Sequence, residues 1–300
     1  MVAVITERFQ GQELVRVGVG GNCLLVAPEH GGRLVRWVHR GTEILYWPGD
    51  ADWTRVAKVR GGNPLLFPFI GRHFVDGEAG KWRDAESVVH ALPQHGFARD
   101  MTFAVSDFSE SAVSMTLTSS DATCAGYPFD FVFTATYRLV PDGLEVTLKA
   151  RNTGDRPLPY YAGHHFYFAL PHGQRSASRL SMPVADRVRQ TPDGALTGAE
   201  PGDSVYRLDD GRLQDTFHVL RGPGALRLET PGYEIGFALD APGSAPWHAV
   251  TTWTEREDSD FYCVEPWLGL PNAIDHRHGL RWVAPGEAEV ATCRLVIGKV

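Results

Sequence analysis

Cysteine is scarce in this 300-residue chain: Cys23, Cys124, Cys263 and Cys293 lie far apart, with no CxxC pair among them. That spacing argues against a disulfide scaffold or a zinc knuckle and points to reduced thiols in a cytoplasmic protein. Long apolar runs are missing as well. Nothing approaches the ~18 residues that a membrane-spanning helix needs, and the opening MVAVITERFQ has no basic segment of the kind that starts an export signal. Basic residues are not in excess: 29 Lys and Arg face 36 Asp and Glu, a formal charge of −7, so no overall positive field is present to hold nucleic acid or an anionic membrane. Long helical patterns are also absent, and 32 glycines and 20 prolines interrupt the chain too often for them.

What remains is ordinary globular composition, 43% hydrophobic and 22% charged, with period-2 alternation as its main signal. Val113, Met115 and Leu117 alternate with polar residues. Phe131, Phe133, Ala135, Tyr137 and Leu139 do the same, and after Pro141-Asp142-Gly143 so do Leu144, Val146, Leu148 and Ala150, which predicts a hairpin. Segments 226–230 and 233–239 flank Pro231-Gly232 in the same way, and Ala291, Cys293, Leu295 and Ile297 form a last strand. The stretch 172–216 reads as loose and loop-like. With strands on both sides of it and no linker, the expectation is an all-β fold, one large antiparallel sandwich over residues 1–300.

Four segments hold polar residues that alternation leaves unexplained. In Arg60-Gly61-Gly62-Asn63-Pro64, running on to Phe67-Pro68-Phe69-Ile70-Gly71-Arg72, paired glycines allow close backbone approach and two arginines bracket an apolar run. A bulged strand with surface arginines is the plain alternative. In Pro93-Gln94-His95-Gly96-Phe97-Ala98-Arg99-Asp100 a loop could aim His95 into a cleft, or satisfy it locally. His164 and His165 are adjacent within an aromatic run, so a strand there would send only one of them to a shared pocket. Glu265, followed by Pro266 and Trp267, is expected at a strand end with an aromatic wall beside it, although most glutamates are simply solvated. No HxH or HxxxH pair is read from the sequence, so a catalytic metal is not expected; a GxSxG elbow is missing too.

Taken together, in order and spacing, these segments resemble the aldose 1-epimerase, or galactose mutarotase-like, family. The likeness runs from Gly31-Gly32-Arg33-Leu34 through RGGNPLLFPFIGR, LPQHGFAR, Tyr127-Pro128-Phe129 and His165-Phe166-Tyr167-Phe168 to EPWLGLPNA and WVAPGE. It implies a β-supersandwich that interconverts the anomers of a hexose without metal or organic cofactor, as a monomer or homodimer whose partner is a small-molecule sugar. It also implies a catalytic set of Glu265 as base, His165 as acid and His95 on the ring-oxygen side. Arg72, Asp215 and Trp267 would bind the sugar. Arg60 and Arg99 fall in segments that hold phosphate in the hexose-6-phosphate branch, which keeps a hexose-6-phosphate 1-epimerase open as an alternative. A carbohydrate-binding protein without turnover is a further one, but binding alone needs no acid–base pair. His164 stays open as the acid. A glycoside hydrolase would need a second carboxylate near Glu265, and no segment supplies an evident one.

Overall fold

The computed structural model describes residues 3–222 and 224–298, and nearly all of its regular structure is antiparallel strand. The alternating segments form the strands they predict. Phe131–Val140 and Gly143–Asn152 pair in continuous register, with Phe131, Phe133, Ala135 and Tyr137 buried and the residues between them partly exposed. They lie inside a nine-stranded sheet. Ala112–Thr118 pairs with the first of them, and Ala288–Gly298 joins the second to Glu234–Ala238 and Leu226–Glu229. Five N-terminal strands between Thr6 and Glu43 make a separate sheet.

An eight-stranded sheet carries the remaining segments. Its centre runs from Thr216–Leu220 through Ala249–Trp253 to Phe261–Trp267, which pairs with both Gly163–His164 and Tyr167–Ala169. One face of this sheet meets the nine-stranded sheet: Phe67 stacks on Phe133 with ring centroids 4.2 Å apart, and Phe168 meets Phe237 edge-on. Val250 and Val264 belong to the core formed there. Their neighbours Thr251 and Glu265 therefore point to the other face.

Two expectations need correction. The stretch 172–216 is not loose, for it contributes Arg179–Ser181, Ala185–Val188, Glu200–Pro201 and Val205–Arg207 to the edges of the two large sheets. Strands of two to four residues are too short to display a period. Glu265 is not at a strand end either; Phe261–Trp267 continues past it, with all seven residues buried. A strand covered on both faces has no polar side to alternate.

Gly96 shows how tightly the loops are fastened to this frame. It has φ +73°, and a Cβ there would lie 2.1 Å from the Phe67 carbonyl oxygen. The close approach allows Ala98 N–H to donate to Phe67 O, while His95 N–H donates to Gly71 O. Gly96→Ala is expected to lower stability by more than about 1 kcal/mol, since both the positive φ and the contact oppose a side chain. Gly211→Ala, where a Cβ meets nothing within 4 Å, serves as the control. Urea denaturation checks this; equal midpoints for the two variants would refute it.

Candidate active site

The register around His165 sets the centre of the site. Gly163 pairs with Trp267 and Tyr167 with Cys263, so the alignment is the same on either side and His165 lies opposite Glu265. Glu265 in turn pairs with Thr251, and Thr251 with Phe217. One rung, entered by His165 from the break between Gly163–His164 and Tyr167–Ala169 and continued across three strands, thus reads His165, Glu265, Thr251, Phe217. All four side chains line a cleft of about 260 Å³, a size suited to a small ligand. His165 Nδ1 lies 3.4 Å from Glu265 Oε1, and Glu265 is only 1% exposed.

Alternation separates the two adjacent histidines. His165 stacks flat on Tyr167, with ring centroids 4.6 Å apart, and faces the cleft. His164 is fully buried against Phe166 and Trp247 on the core side. Asn63 ties both in place: its Oδ1 accepts from His165 N–H at 2.9 Å, and its Nδ2 lies 3.2 Å from His164 Nδ1. Trp267 Nε1–H is shared between Glu265 Oε2 and His164 O, at 3.2 and 3.1 Å.

His95 enters from its loop with φ +68°, and Asp215 from a strand end with φ +49°. Left-handed backbone at side-chain-bearing residues concentrates at functional sites. Gly71 N–H donates to His95 Nδ1 at 3.1 Å, which places the proton of the neutral ring on Nε2, where it faces the Gln94 side-chain amide at 3.2 Å as well as the cleft; the amide then turns its oxygen to accept it. The eight residues singled out from sequence all line this one cleft: Glu265, His165, His95, Arg72, Asp215, Arg60, Arg99 and Trp267. Lys58, Gln94, Gln190, Thr251 and Trp253 join them without having been singled out. Thr251 carried a usable signal, since it belongs to a polar-aromatic strand, Val250-Thr251-Thr252-Trp253, of the same kind as the other site segments.

Charge in the cleft is mostly positive. Arg60 pairs with Glu255 at 3.0 Å and lies over the Trp253 ring. Arg99 donates to the Gln94 carbonyl at 2.7 Å, has a buried Nε without a partner, and makes no ion pair with Asp100 or any other carboxylate among the described residues. Burial pushes Glu265 well above the usual carboxylate range, against the opposing pull of Trp267 N–H. Burial also holds His165 well below the ordinary imidazole value, aided by the positive charges of Arg99, Arg60 and Arg33. Each group is driven toward its neutral form, so the pair carries one proton between them over a wide pH range.

Cys263, read from sequence only as a reduced thiol, also belongs to this neighbourhood. Donor atoms of His165, Cys263 and Glu265 lie within 4.8 Å of one another, the one such trio among the described residues. The ligand types would suit zinc, whose bonds of ~2.0–2.3 Å need a tighter set. Burial also raises both the Cys263 thiol and the Glu265 carboxyl, opposing the anions a metal requires. The expected absence of an HxH pair needs correction, for His276-Arg277-His278 is one; His276 Nε2 is engaged with Pro271 O and Nδ1 with His278 N–H, and neither ring joins a third donor among the described residues.

Known proteins resemble this chain in sequence and in fold. The family model described as Aldose 1-epimerase matches residues 13–287. A relative from Cenchrus ciliaris, named provisionally as a glucose-6-phosphate 1-epimerase, is 26% identical over 93% of this chain and 85% of its own length. Among solved structures, the Slr1438 protein of Synechocystis sp. PCC 6803 superposes with a TM-score of 0.81 at 24% identity, covering 100% of this chain and 99% of that one. A galactose mutarotase-like protein from Clostridium acetobutylicum gives 0.82 at 17% identity, with 99% of each chain covered.

The buried histidines predict how stability depends on pH. Burial lowers His73 and His248 to about 4, and His164 and His218 to about 3, from 6.5. Below pH 6.5 the unfolded chain binds protons that the folded chain refuses, so stability present above 6.5 is lost as pH falls toward those values. Each group contributes a slope of up to about 1.4 kcal/mol per pH unit. Glu265, shifted upward, works in the opposite sense but is a single group. Urea denaturation at pH 5 is expected to give a stability at least a few kcal/mol below that at pH 7.5, and equal values would contradict the burial of these rings.

Proposed function

The chain belongs to the aldose 1-epimerase family, and on that premise we propose that its cleft interconverts the α and β anomers of a hexose through acid–base ring opening, with Glu265 and His165 as the reacting groups. The observation that supports this most is the buried His165–Glu265 pair, 3.4 Å apart on one rung of the sheet and open to a cleft of small-ligand size. Ring opening takes one proton from O1 and delivers one to O5. In the form of the pair that has its shared proton on His165, the Glu265 carboxylate removes the O1 proton, the C1–O1 double bond forms as C1–O5 breaks, and His165 protonates O5. Rotation about C1–C2 turns the aldehyde over, and closure runs the same transfers backwards. The reaction is proton-neutral overall, which suits a pair that holds a single proton between them.

The surrounding groups take supporting parts in this reading. His95 offers Nε2–H to the ring-oxygen side, Arg72 and Asp215 bind hydroxyls, and Trp267 packs beside the ring while its N–H holds Glu265 Oε2. We extend the proposal to one domain over residues 1–300 in a cytoplasmic setting. The large core cluster, which includes residues of the five-, eight- and nine-stranded sheets, supports the first part, and the four free cysteines support the second.

Glu265→Gln keeps the shape of the side chain and removes the base, so it is expected to lower turnover by about 10²-fold or more while leaving the fold intact. His165→Asn is expected to impair turnover more than His164→Asn, whose ring faces the core. Polarimetry on freshly dissolved α-glucose, α-galactose and glucose 6-phosphate measures both. Activity of Glu265→Gln within threefold of the parent would remove Glu265 from the mechanism, and the reverse histidine ranking would move the acid to His164.

One observation favours a second reading, 1-epimerisation of a hexose 6-phosphate. Among the described residues Arg99 lacks a carboxylate partner, and it shares the cleft with Arg60 and Lys58, a set of cations suited to a phosphate. Arg99→Lys retains charge but loses the planar fork. On this reading it lowers kcat/KM for glucose 6-phosphate about tenfold or more and leaves glucose nearly unchanged. An equal effect on the two sugars would return the assignment to the free hexose.

A further inference from the structure

Thr251 stands out among the residues of the cleft. It is 3% exposed, it occupies the rung position directly beside Glu265, and its Oγ1 is buried with no hydrogen-bond partner among the described residues. The other threonine of the strand differs: Thr252 Oγ1 donates to Leu213 O at 2.6 Å. A buried hydroxyl left unpaired is destabilising, whereas valine would fill the same volume without that penalty. Folding alone therefore gives no reason for a hydroxyl at 251.

We propose that Thr251 is a substrate-binding residue that recognises the hydroxyl on C2 of the sugar. The inference rests on the 1-epimerase reading and follows from the order of groups along the rung. His165 comes first, then Glu265, then Thr251, at successive strand spacings of ~4.8 Å. In a pyranose the ring oxygen, the anomeric carbon and C2 follow one another in the same order. With O5 at His165 and O1 at Glu265, the ring continues toward Thr251, and the first substituent it presents there is the one on C2. Phe217, the next position on the rung, offers no polar atom to compete for that substituent. The hydroxyl lies covered in its present rotamer, and one χ1 step exchanges hydroxyl and methyl without moving the strand.

The test compares the parent, Thr251→Val and Thr251→Ser on glucose and 2-deoxyglucose, or on their 6-phosphates if those are the faster substrates, with each uncatalysed rate subtracted. Thr251→Val is expected to melt no lower than the parent. It should lose about tenfold or more in kcat/KM on glucose, and change little on the 2-deoxy sugar. Thr251→Ser, which keeps the hydroxyl, should stay close to the parent on both. A valine variant that loses equally on the two sugars, or on neither, overturns the assignment while the epimerase reading stands. A parent that accelerates none of these sugars overturns the epimerase reading, and the role of Thr251 falls with it.

Discussion

The pairing of Phe261–Trp267 with Gly163–His164 on one side of an irregularity and with Tyr167–Ala169 on the other is the constraint on which the site depends. Because the register is conserved across the interruption, His165 is carried past it and still meets Glu265. A slip of one residue would send His165 to the core and bring His164 to the cleft. Asn63 guards against that slip from a third segment, bonding the backbone of one histidine and the ring of the other.

Burial then sets the chemistry. A carboxyl and an imidazole that were both exposed would hold opposite charges near neutral pH and gain little from each other. Here the protein withdraws both from water, so neither ionises easily alone and a proton can reside on either. Positive charge above the cleft comes from Arg60 and Arg99, held by an exposed ion pair and by a backbone carbonyl respectively. These are weak fastenings, and they leave the guanidinium groups with capacity for a ligand.

The strong outer strands were legible because one of their faces is polar. Phe131, Phe133, Ala135 and Tyr137 against Val132, Thr134 and Thr136 could be read directly, and the hairpin follows. The strand that holds Glu265 was harder, since Phe261-Tyr262-Cys263-Val264-Glu265-Pro266-Trp267 is buried on both faces and offers no alternation. Its importance was visible only through the resemblance of EPW to a known family. The short strands between 179 and 207 carried no signal at all, being held by their neighbours in the sheet.

By itself the sequence determined the all-β class, through the period of its apolar residues, and the chemical repertoire of the site, through carboxyl, imidazole and guanidinium groups in recognisable segments. Strand alternation also limited His164 and His165 to opposite faces. Tertiary structure alone decided which histidine meets Glu265, because that depends on a cross-strand register between residues about a hundred positions apart. It decided too that Thr251 and Cys263 stand beside the reacting pair, and that Arg60 has a carboxylate partner where Arg99 has none among the described residues. These are facts of distance between segments, and local propensity contains no information about them.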